Sequence, residues 1–238
     1  MAKRVAKKAL APCVPLKRPI LRDKLFDIYG TSTLVLNRFS QKSKEMMMSA
    51  YSDAVLKKFP LKPDSAISKS LCKEKLQKEK DDRFEAGRHR FKDGGDGIPV
   101  MSFKNGMLST YIFEIGRSSF CSTPSLAFKI GLFVVGDGME VEEGYPLVRI
   151  ISESGPRCLE MKIRSYSGET LVRYRPAWDK WGALLRVRFD TRLFSPKQVL
   201  ETLAILGEKI GICEGRAHSH NNCGMGWGRF KVRMRFPE

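Results

Sequence analysis

The sequence has little of several features that mark common functional classes. It contains three histidines, and its six cysteines are scattered without any CxxC pair. Such spacing matches neither a zinc ribbon nor the dense disulfide framework of a small secreted domain. No run of about 18 apolar residues occurs, so no membrane span is predicted. These absences favour a soluble intracellular protein with reduced, structural thiols.

Acidic residues are also scarce relative to basic ones. The chain has 26 Asp and Glu against 43 Lys and Arg, which gives a formal charge of +17. An excess of this size implies an acidic partner, such as a nucleic-acid backbone, an anionic membrane surface or an acidic protein. Hydrophobic residues make up 42% of the chain, which is enough for a sizeable core.

Composition divides the chain into a short arm and one domain. Residues 1–24 are rich in Lys and Arg, are interrupted by prolines and lack the apolar region of a secretory signal, which predicts a flexible basic arm. Residues 25–238 are expected to form a single α+β domain. Residues 60–82 have many lysines and little apolar periodicity, so they are either a solvated helix or a mobile charged insertion, and we favour the insertion.

The remaining pattern alternates strands and helices. The clearest helix begins at Ser195, has Pro196 in its first turn and ends at Gly211. A strand–helix unit is predicted over Thr31–Phe59, with its strand at Thr33–Leu36 and its helix starting at Ser40. Together with the strand–helix–loop–strand order of the last third, this unit predicts a ferredoxin-like sheet with a large central insertion or second lobe. Further strands are predicted at RFEAGRHRF, Leu132–Val135, PLVRIISES, CLEMKIRSY, ETLVRYRPAWDKW and ALLRVRFDT, and a further helix through Phe103, Met107 and Tyr111.

Two strands have a basic face. In ALLRVRFDT and in the final RFKVRMRF, apolar and basic residues alternate, so each strand directs its cations away from a packed face. If these strands are neighbours, their cations form a stripe that matches a phosphate chain. An ordinary solvated face is the alternative. The residues concerned are Arg186, Arg188, Arg229, Lys231, Arg233 and Arg235.

Aromatic residues lie among cations in VRYRPAWDKW. Bases stack on exposed aromatic rings while neighbouring cations hold the backbone. Either tryptophan can instead be a core residue. The candidates for contact here are Arg173, Arg175, Trp178, Lys180 and Trp181.

A glycine-rich loop, NNCGMGWG, precedes the last strand. Its members Gly224, Gly226 and Gly228, with Trp227 between them, can let backbone N–H groups approach a phosphate, or can simply supply positive φ angles. No GK[ST] follows and the next element is a strand, so no nucleotide cofactor is expected.

The few histidines give only weak candidates for chemistry. His218 and His220 lie near Cys223, but three ligands in a short polar loop are a poor zinc signal, and no metal site is assigned. Either histidine could act as a general base at an RNA 2′-hydroxyl. No catalytic residue is assigned beyond these two.

Three stretches resemble a family of tailed-phage proteins: GTSTLVLNRFSQKSKEMM, DGGDGIPVMSFKNGML and the segment from YRPAWDKWGALLRVRFDT through GMGWGRFKV. The layout is also similar to that of the RAMP proteins of CRISPR effector backbones. That second resemblance implies a ferredoxin-like core and repeated protomers along single-stranded RNA, and only some RAMP proteins cleave their RNA. It also implies that Gly224, Gly226 and Gly228 form a loop that cradles the backbone.

The sequence therefore predicts a phage-type binder of single-stranded RNA or DNA. It is expected to assemble as a homo-oligomer or larger nucleoprotein complex, without a membrane or cofactor, in the cytoplasm of an infected bacterium. One alternative is a virion or assembly protein that contacts the genome through its basic arm. The other is a metal-independent endoribonuclease.

Overall fold

Ten strands and four helices make up the described part of the chain, which covers residues 18–38, 69–111, 124–164, 170–217 and 224–235 of a computed structural model. The strands are β1 (Leu21–Gly30), β2 (Leu34–Val35), β3 (Gly97–Pro99), β4 (Leu132–Val135), β5 (Gly138–Met139), β6 (Pro146–Arg149), β7 (Arg157–Arg164), β8 (Thr170–Trp178), β9 (Gly182–Asp190) and β10 (Phe230–Arg235). The helices are α1 (Lys69–Ala86), α2 (Val100–Thr110), α3 (Pro124–Gly131) and α4 (Pro196–Ile205), and a π-helical turn, Leu206–Ile210, extends α4. The fold is of the α+β class, with antiparallel sheets.

One four-stranded sheet, the main sheet, organises the molecule. Its strand order is β10-β1-β9-β4, and every neighbouring pair is antiparallel. Two three-stranded sheets, β2-β8-β7 and β3-β6-β5, lie beside it. The β5–β6 hairpin leads to Ile151, which bridges to Gly182 at the start of β9 and so joins the second small sheet to the main one.

The inner face of the main sheet forms the core. Alternation along each strand buries one set of side chains, including Phe26, Leu185 and Phe230, each with 0% exposure. Helices α2 and α4 cover this face: Phe103 meets the Phe230 ring edge-on at 6.1 Å between centroids. The two helices meet at Gly106, where a Cβ atom would lie 2.7 Å from Leu206 Cδ1. Burial of this face leaves the opposite face of the sheet to solvent.

Local sequence explains where α4 begins. Ser195 accepts a hydrogen bond on its Oγ from the Gln198 backbone N–H at 3.2 Å, and its own N–H donates to Gln198 Oε1 at 2.9 Å. This reciprocal capping box, with Pro196 in the first turn, is the predicted start of the helix. The predicted end at Gly211 is also confirmed, since Gly211 has φ +78° after the π turn.

The start of the chain is organised differently from the prediction. The basic arm was expected to extend to residue 24, but Leu21–Lys24 belong to β1 and pair with β9, beginning with Leu21 opposite Asp190. The segment predicted as the first core strand contains β2, which is confirmed as a strand but pairs with β8 in a small sheet. The first strand of the main sheet is therefore β1. Residues 1–17 and the helix predicted from Ser40 lie outside the described residues.

Residues 69–82 belong to α1, which is the helical alternative for this charged segment, and Arg83 at the end of α1 donates to the Val172 carbonyl of β8 at 3.3 Å. Residues 60–68 lie outside the described residues. One strand prediction in the middle of the chain is wrong. RFEAGRHRF is not one strand, because its first four residues end α1 and Gly87 turns the chain. The strands predicted at Leu132–Val135 and within PLVRIISES, CLEMKIRSY, ETLVRYRPAWDKW and ALLRVRFDT are confirmed. Within the described ranges, none of the helices has the length and hydrophobicity needed to cross a bilayer.

Candidate nucleic-acid interface

The outer face of the main sheet carries the cations predicted from alternation. Arg186 and Arg188 on β9 are exposed, and so are the three basic residues of β10, Lys231, Arg233 and Arg235. The predicted stripe of cations required β9 and β10 to be neighbours, but β1 lies between them. The cations therefore occupy both sides of a central strand; we call this surface, made of the outward residues of β10, β1 and β9, the basic face.

Strand β1 contributes two acids to the basic face. Asp23 lies opposite Arg188 on β9 and accepts two hydrogen bonds from its guanidinium at 2.7 and 2.9 Å. Asp27 accepts one from Arg235 Nη2 at 2.7 Å. The hydrogen bond from Arg188 lowers the pKa of Asp23 below its usual value, against a smaller opposing effect of desolvation. Two of the arginines are thus already bound by carboxylates.

The other cations of the basic face have no such partner. Among the described residues, no carboxylate lies within ion-pair distance of Arg186, Lys231 or Arg233. Arg186 lies opposite Leu25 on β1, and Lys231 lies opposite Tyr29. The basic face therefore offers three cations outside any ion pair, of which Arg233 lies opposite Asp27 and Arg186 interacts electrostatically with Asp23.

Exposed aromatic rings stand at two places on the same side of the sheet. Tyr29, near the end of β1, is 52% exposed, and Phe133 on β4 is 38% exposed. Phe133 lies opposite Arg188, and Lys104 Nζ is 5.0 Å from the centre of its ring. Neither ring was among the predicted contacts. The alternation of KLFDIYG, with Phe26 and Ile28 inward and Tyr29 outward, indicates the first, but no element was predicted over residues 25–28.

The two tryptophans of VRYRPAWDKW do not form a stacking platform. Trp178 is 1% exposed and Trp181 is 5% exposed, so neither ring can receive a base. Trp181 donates its indole N–H to the Ser32 carbonyl at 2.8 Å and packs against Phe230. The sequence could not separate a buried indole from an exposed one, because both occur among cations, and the core alternative is correct here.

The basic residues around those tryptophans lie away from the basic face. Arg175 on β8 donates to Glu214 at 2.8 Å, and both side chains are largely buried, so this arginine has a structural ion pair. Arg173 and Lys180 are exposed, on β8 and just after it. The predicted site is therefore divided, with one part on the main sheet and another on the β2-β8-β7 sheet.

The glycine-rich loop uses much of its backbone inside the protein. Gly224, Gly226 and Gly228 have φ values of +49°, +70° and +68°. The N–H of Trp227 donates to Gly215, that of Gly228 to Thr33, and that of Arg229 to Ser32 Oγ. These donors cannot also hold a phosphate, so the second half of the loop serves the fold. Trp227 is half-buried over Gly215, and the Arg229 side chain is exposed.

Little in the described structure points to histidine or metal chemistry. His218, His220 and Cys223 lie outside the described residues. His89 is buried, and its Nδ1 lies 2.9 Å from Glu140 Oε1. Burial is the largest effect on His89 and lowers its pKa. The charge of Arg38 also lowers this pKa, whereas the carboxylates of Glu140 and Glu143 raise it. In the ranges that the structure describes, no group of three His, Cys, Asp or Glu side chains could hold a metal ion.

Comparison with known proteins adds no family to this geometry. No protein-family model matches the chain, and a search of curated proteins finds no relative.

Proposed function

We propose that the protein binds single-stranded nucleic acid through the basic face of a ferredoxin-like core. The observation that carries this proposal is an exposed sheet surface with three cations outside any ion pair, Arg186, Lys231 and Arg233, on the same side as the exposed ring of Tyr29. Cations on a sheet have Cα atoms at a fixed spacing, so their side chains can reach successive phosphates without a change in the backbone. Salt should weaken such binding steeply.

The ferredoxin-like assignment is supported by strand order. In chain order the main sheet uses β1, β4, β9 and β10, and in space it places the fourth strand beside the first, followed by the third and the second. Helices α2 and α3 lie between β1 and β4, and α4 lies between β9 and β10. This is the βαββαβ order with an antiparallel sheet. The two small sheets and α1 are then additions to that core.

Single strands suit this surface better than a duplex. An exposed ring on an open sheet stacks on an unpaired base, worth roughly 1–3 kcal/mol per base. A duplex keeps its bases stacked on each other and is read by elements that enter a groove. The basic face has Tyr29 for stacking, and the adjoining strand β4 adds Phe133.

The phage and RAMP resemblances and the growth of repeated protomers along a strand are part of this proposal. The loop between α4 and β10 precedes the last strand, as it does in the RAMP layout, but the N–H groups of Trp227 and Gly228 are bonded within the protein. The alternative of a virion protein places binding in the basic arm, and the endoribonuclease alternative requires His218 or His220. No described contact favours either.

The proposal is tested by fluorescence-polarisation binding to single-stranded RNA, single-stranded DNA and duplex at several salt concentrations. The variants are a deletion of residues 1–17, the triple variant R186A/K231A/R233A, and Y29A with Y29F. A matched triple variant, K92A/K162A/K197A, removes three exposed cations that lie elsewhere. Longer oligonucleotides, with RNA length checked after incubation with a chelator, test assembly and cleavage.

We expect the arm-deleted protein to retain single-strand binding and the basic-face triple variant to lose it. The slope of log affinity against log salt should fall by about 2, since each phosphate contact with a single strand contributes roughly 0.7. Y29A should lose roughly 1–3 kcal/mol and Y29F much less. Equal affinity of the two triple variants would overturn the proposal, and loss of binding with the arm would favour the virion alternative.

A further inference from the structure

The β5–β6 hairpin is an acidic and apolar projection on a basic protein. The sequence DGMEVEEGYP, from Asp137 to Pro146, contains four carboxylates and no Lys or Arg, in a chain with a formal charge of +17. Arg38 contacts Glu142 and the buried Glu140, so the charge at the surface comes from Asp137, Glu142 and Glu143. Met139, Val141 and Tyr145 are 55%, 55% and 50% exposed. Exposed apolar side chains beside charged ones mark a candidate contact surface.

A second apolar surface has the opposite charge. Leu126 and Ile130 are one helical turn apart on α3 and are 53% and 61% exposed. Leu193 packs against Gly131 at the end of α3 and is 43% exposed. Thr191, two residues before Leu193, donates its backbone N–H to the carbonyl of Ile20. Around these four lie the exposed cations Arg18, Arg22 and Lys129, for which no carboxylate lies within ion-pair distance among the described residues. We call this surface the basic end.

The two surfaces lie at opposite ends of the main sheet. The hairpin leads to Ile151, which bridges to Gly182 at the start of β9. The basic end adjoins the other end of β9, where Asp190 lies opposite Leu21 and the 191–194 turn follows. Strand β9 has nine residues, so it spans about 30 Å at roughly 3.4 Å per residue. The hairpin joins the main sheet at one end of this strand and the basic end adjoins the other, so the two surfaces are separate in one chain.

From this arrangement we infer that the acidic hairpin of one copy of the chain docks on the basic end of a second copy. Each side has an apolar centre, and the charges around the two centres are opposite, which gives the contact its orientation. A contact between unlike surfaces is head-to-tail, and it continues from copy to copy unless the rotation closes a ring. The inference concerns the assembly part of the proposed function, and it holds whether or not the basic face binds nucleic acid.

The experiment uses two variants that each lose one surface. M139K/V141K changes the hairpin, and L126E/I130E changes the basic end. Sedimentation velocity of the wild type without nucleic acid should show a mass above the 27.0 kDa monomer that rises with protein concentration and falls at high salt. Each variant alone should be a monomer. An equimolar mixture of the two should give a species of about twice 27.0 kDa, because one intact hairpin still meets one intact basic end.

Matched controls are M101K/I151K and M101E/I151E, which place the same charges at exposed apolar positions on neither surface and should assemble like the wild type. A wild type that stays monomeric at every concentration overturns the inference, as does a mixture that stays monomeric. If L126E/I130E melts at a lower temperature but assembles like the wild type, the inference is also overturned, because the basic end would then pack within its own chain. Binding of a short oligonucleotide by the wild type is measured in parallel. If the protein assembles but does not bind the oligonucleotide, the result contradicts the proposed nucleic-acid binding and not the docking contact.

Discussion

Single carboxylates limit the charge that the basic face presents. Asp23 holds Arg188 and Asp27 holds Arg235, both at 2.7 Å, on a strand that lies between the two basic strands. A phosphate that approaches either arginine must replace a carboxylate that is already hydrogen-bonded. These pairs are exposed, so each adds little to stability, typically 0–1 kcal/mol. Their larger effect is on the potential that a nucleic-acid backbone meets.

The first prediction concerns these two acids. The variant D23N/D27N should bind single-stranded nucleic acid more tightly at low salt, by about threefold to tenfold, equivalent to roughly 0.7–1.4 kcal/mol. The reason is that Arg188 and Arg235 become available to phosphates and two repulsive charges are removed. Fluorescence polarisation over a salt series measures the change, which should shrink as salt rises.

A suitable control for this variant is D93N. Asp93 accepts a hydrogen bond from Arg149 at 2.6 Å, and that pair lies outside the basic face. The D93N variant therefore removes a carboxylate from an exposed ion pair with arginine and leaves the basic face unchanged. If D93N tightens binding as much as D23N/D27N does, general charge and not the basic face determines affinity.

At the scale of elements, the glycine-rich loop joins α4 to β10 through backbone contacts. A Cβ atom on Gly228 would lie 2.0 Å from the Ile212 carbonyl oxygen, and the residue has φ +68°. Ile212 in turn donates its N–H to the Gly228 carbonyl at 3.0 Å. The loop must therefore have glycine at this position for the final strand to reach its place beside β1.

The second prediction follows from that close approach. Gly228→Ala should lower the free energy of unfolding by more than about 2 kcal/mol, because the left-handed backbone costs roughly 1–2 kcal/mol for an L residue and the clash adds to it. Gly94→Ala is the matched variant: it has φ +83° with nothing within 4 Å of its Cβ position, so it should lose only the backbone cost. Urea unfolding compares the two. Equal losses would show that contact with Ile212 is unimportant.

At the scale of the whole molecule, a buried polar group joins the two small sheets. His89 contacts Glu140 on the β5–β6 hairpin, and Arg38, which follows β2, lies 3.7 Å from the same carboxylate. Arg38 Nε and Glu140 Oε2 are buried without a hydrogen-bond partner in the described structure. Such a group is sensitive to any change in charge, since little water reaches it.

The third prediction is a pH dependence of stability. Burial lowers the pKa of His89, so the unfolded chain binds a proton at this residue more readily than the folded one. The neutral form therefore stabilises the fold above the ordinary histidine value of about 6.5, and stability falls as the pH drops below it. Urea unfolding at about pH 7.5 and about pH 5.5 should show a loss that is smaller in His89→Gln.

A wild type and a His89→Gln variant with the same loss would contradict this prediction. The acids with lowered pKa values do not interfere, because they titrate in a lower range. Asp190, for example, has its pKa lowered to about 2 by hydrogen bonds from Arg192. Its contribution to stability is present above the ordinary value of about 3.8 and is lost only below it.

Alternation and capping made much of the main sheet predictable. β4, β9, β10 and α4 lie where their patterns place them, because each has one apolar face and a clear boundary residue, such as Ser195 or Gly211. The strand β1 was missed although KLFDIYG alternates, since its first residues have the same basic composition as the arm. The sequence of α1 left a solvated helix and a mobile insertion as alternatives, because a mostly polar helix has little apolar periodicity to detect.

The sequence by itself determined the basic charge, the outward direction of the cations on β9 and β10, and the glycine positions of the last loop. These follow from composition and from a two-residue period that any strand imposes. Only the tertiary structure decided that β1 separates the two basic strands, that Asp23 and Asp27 bind two of their arginines, and that Trp178 and Trp181 are core residues. Those features depend on which strands pair across more than 150 residues of sequence, and no local pattern contains that information.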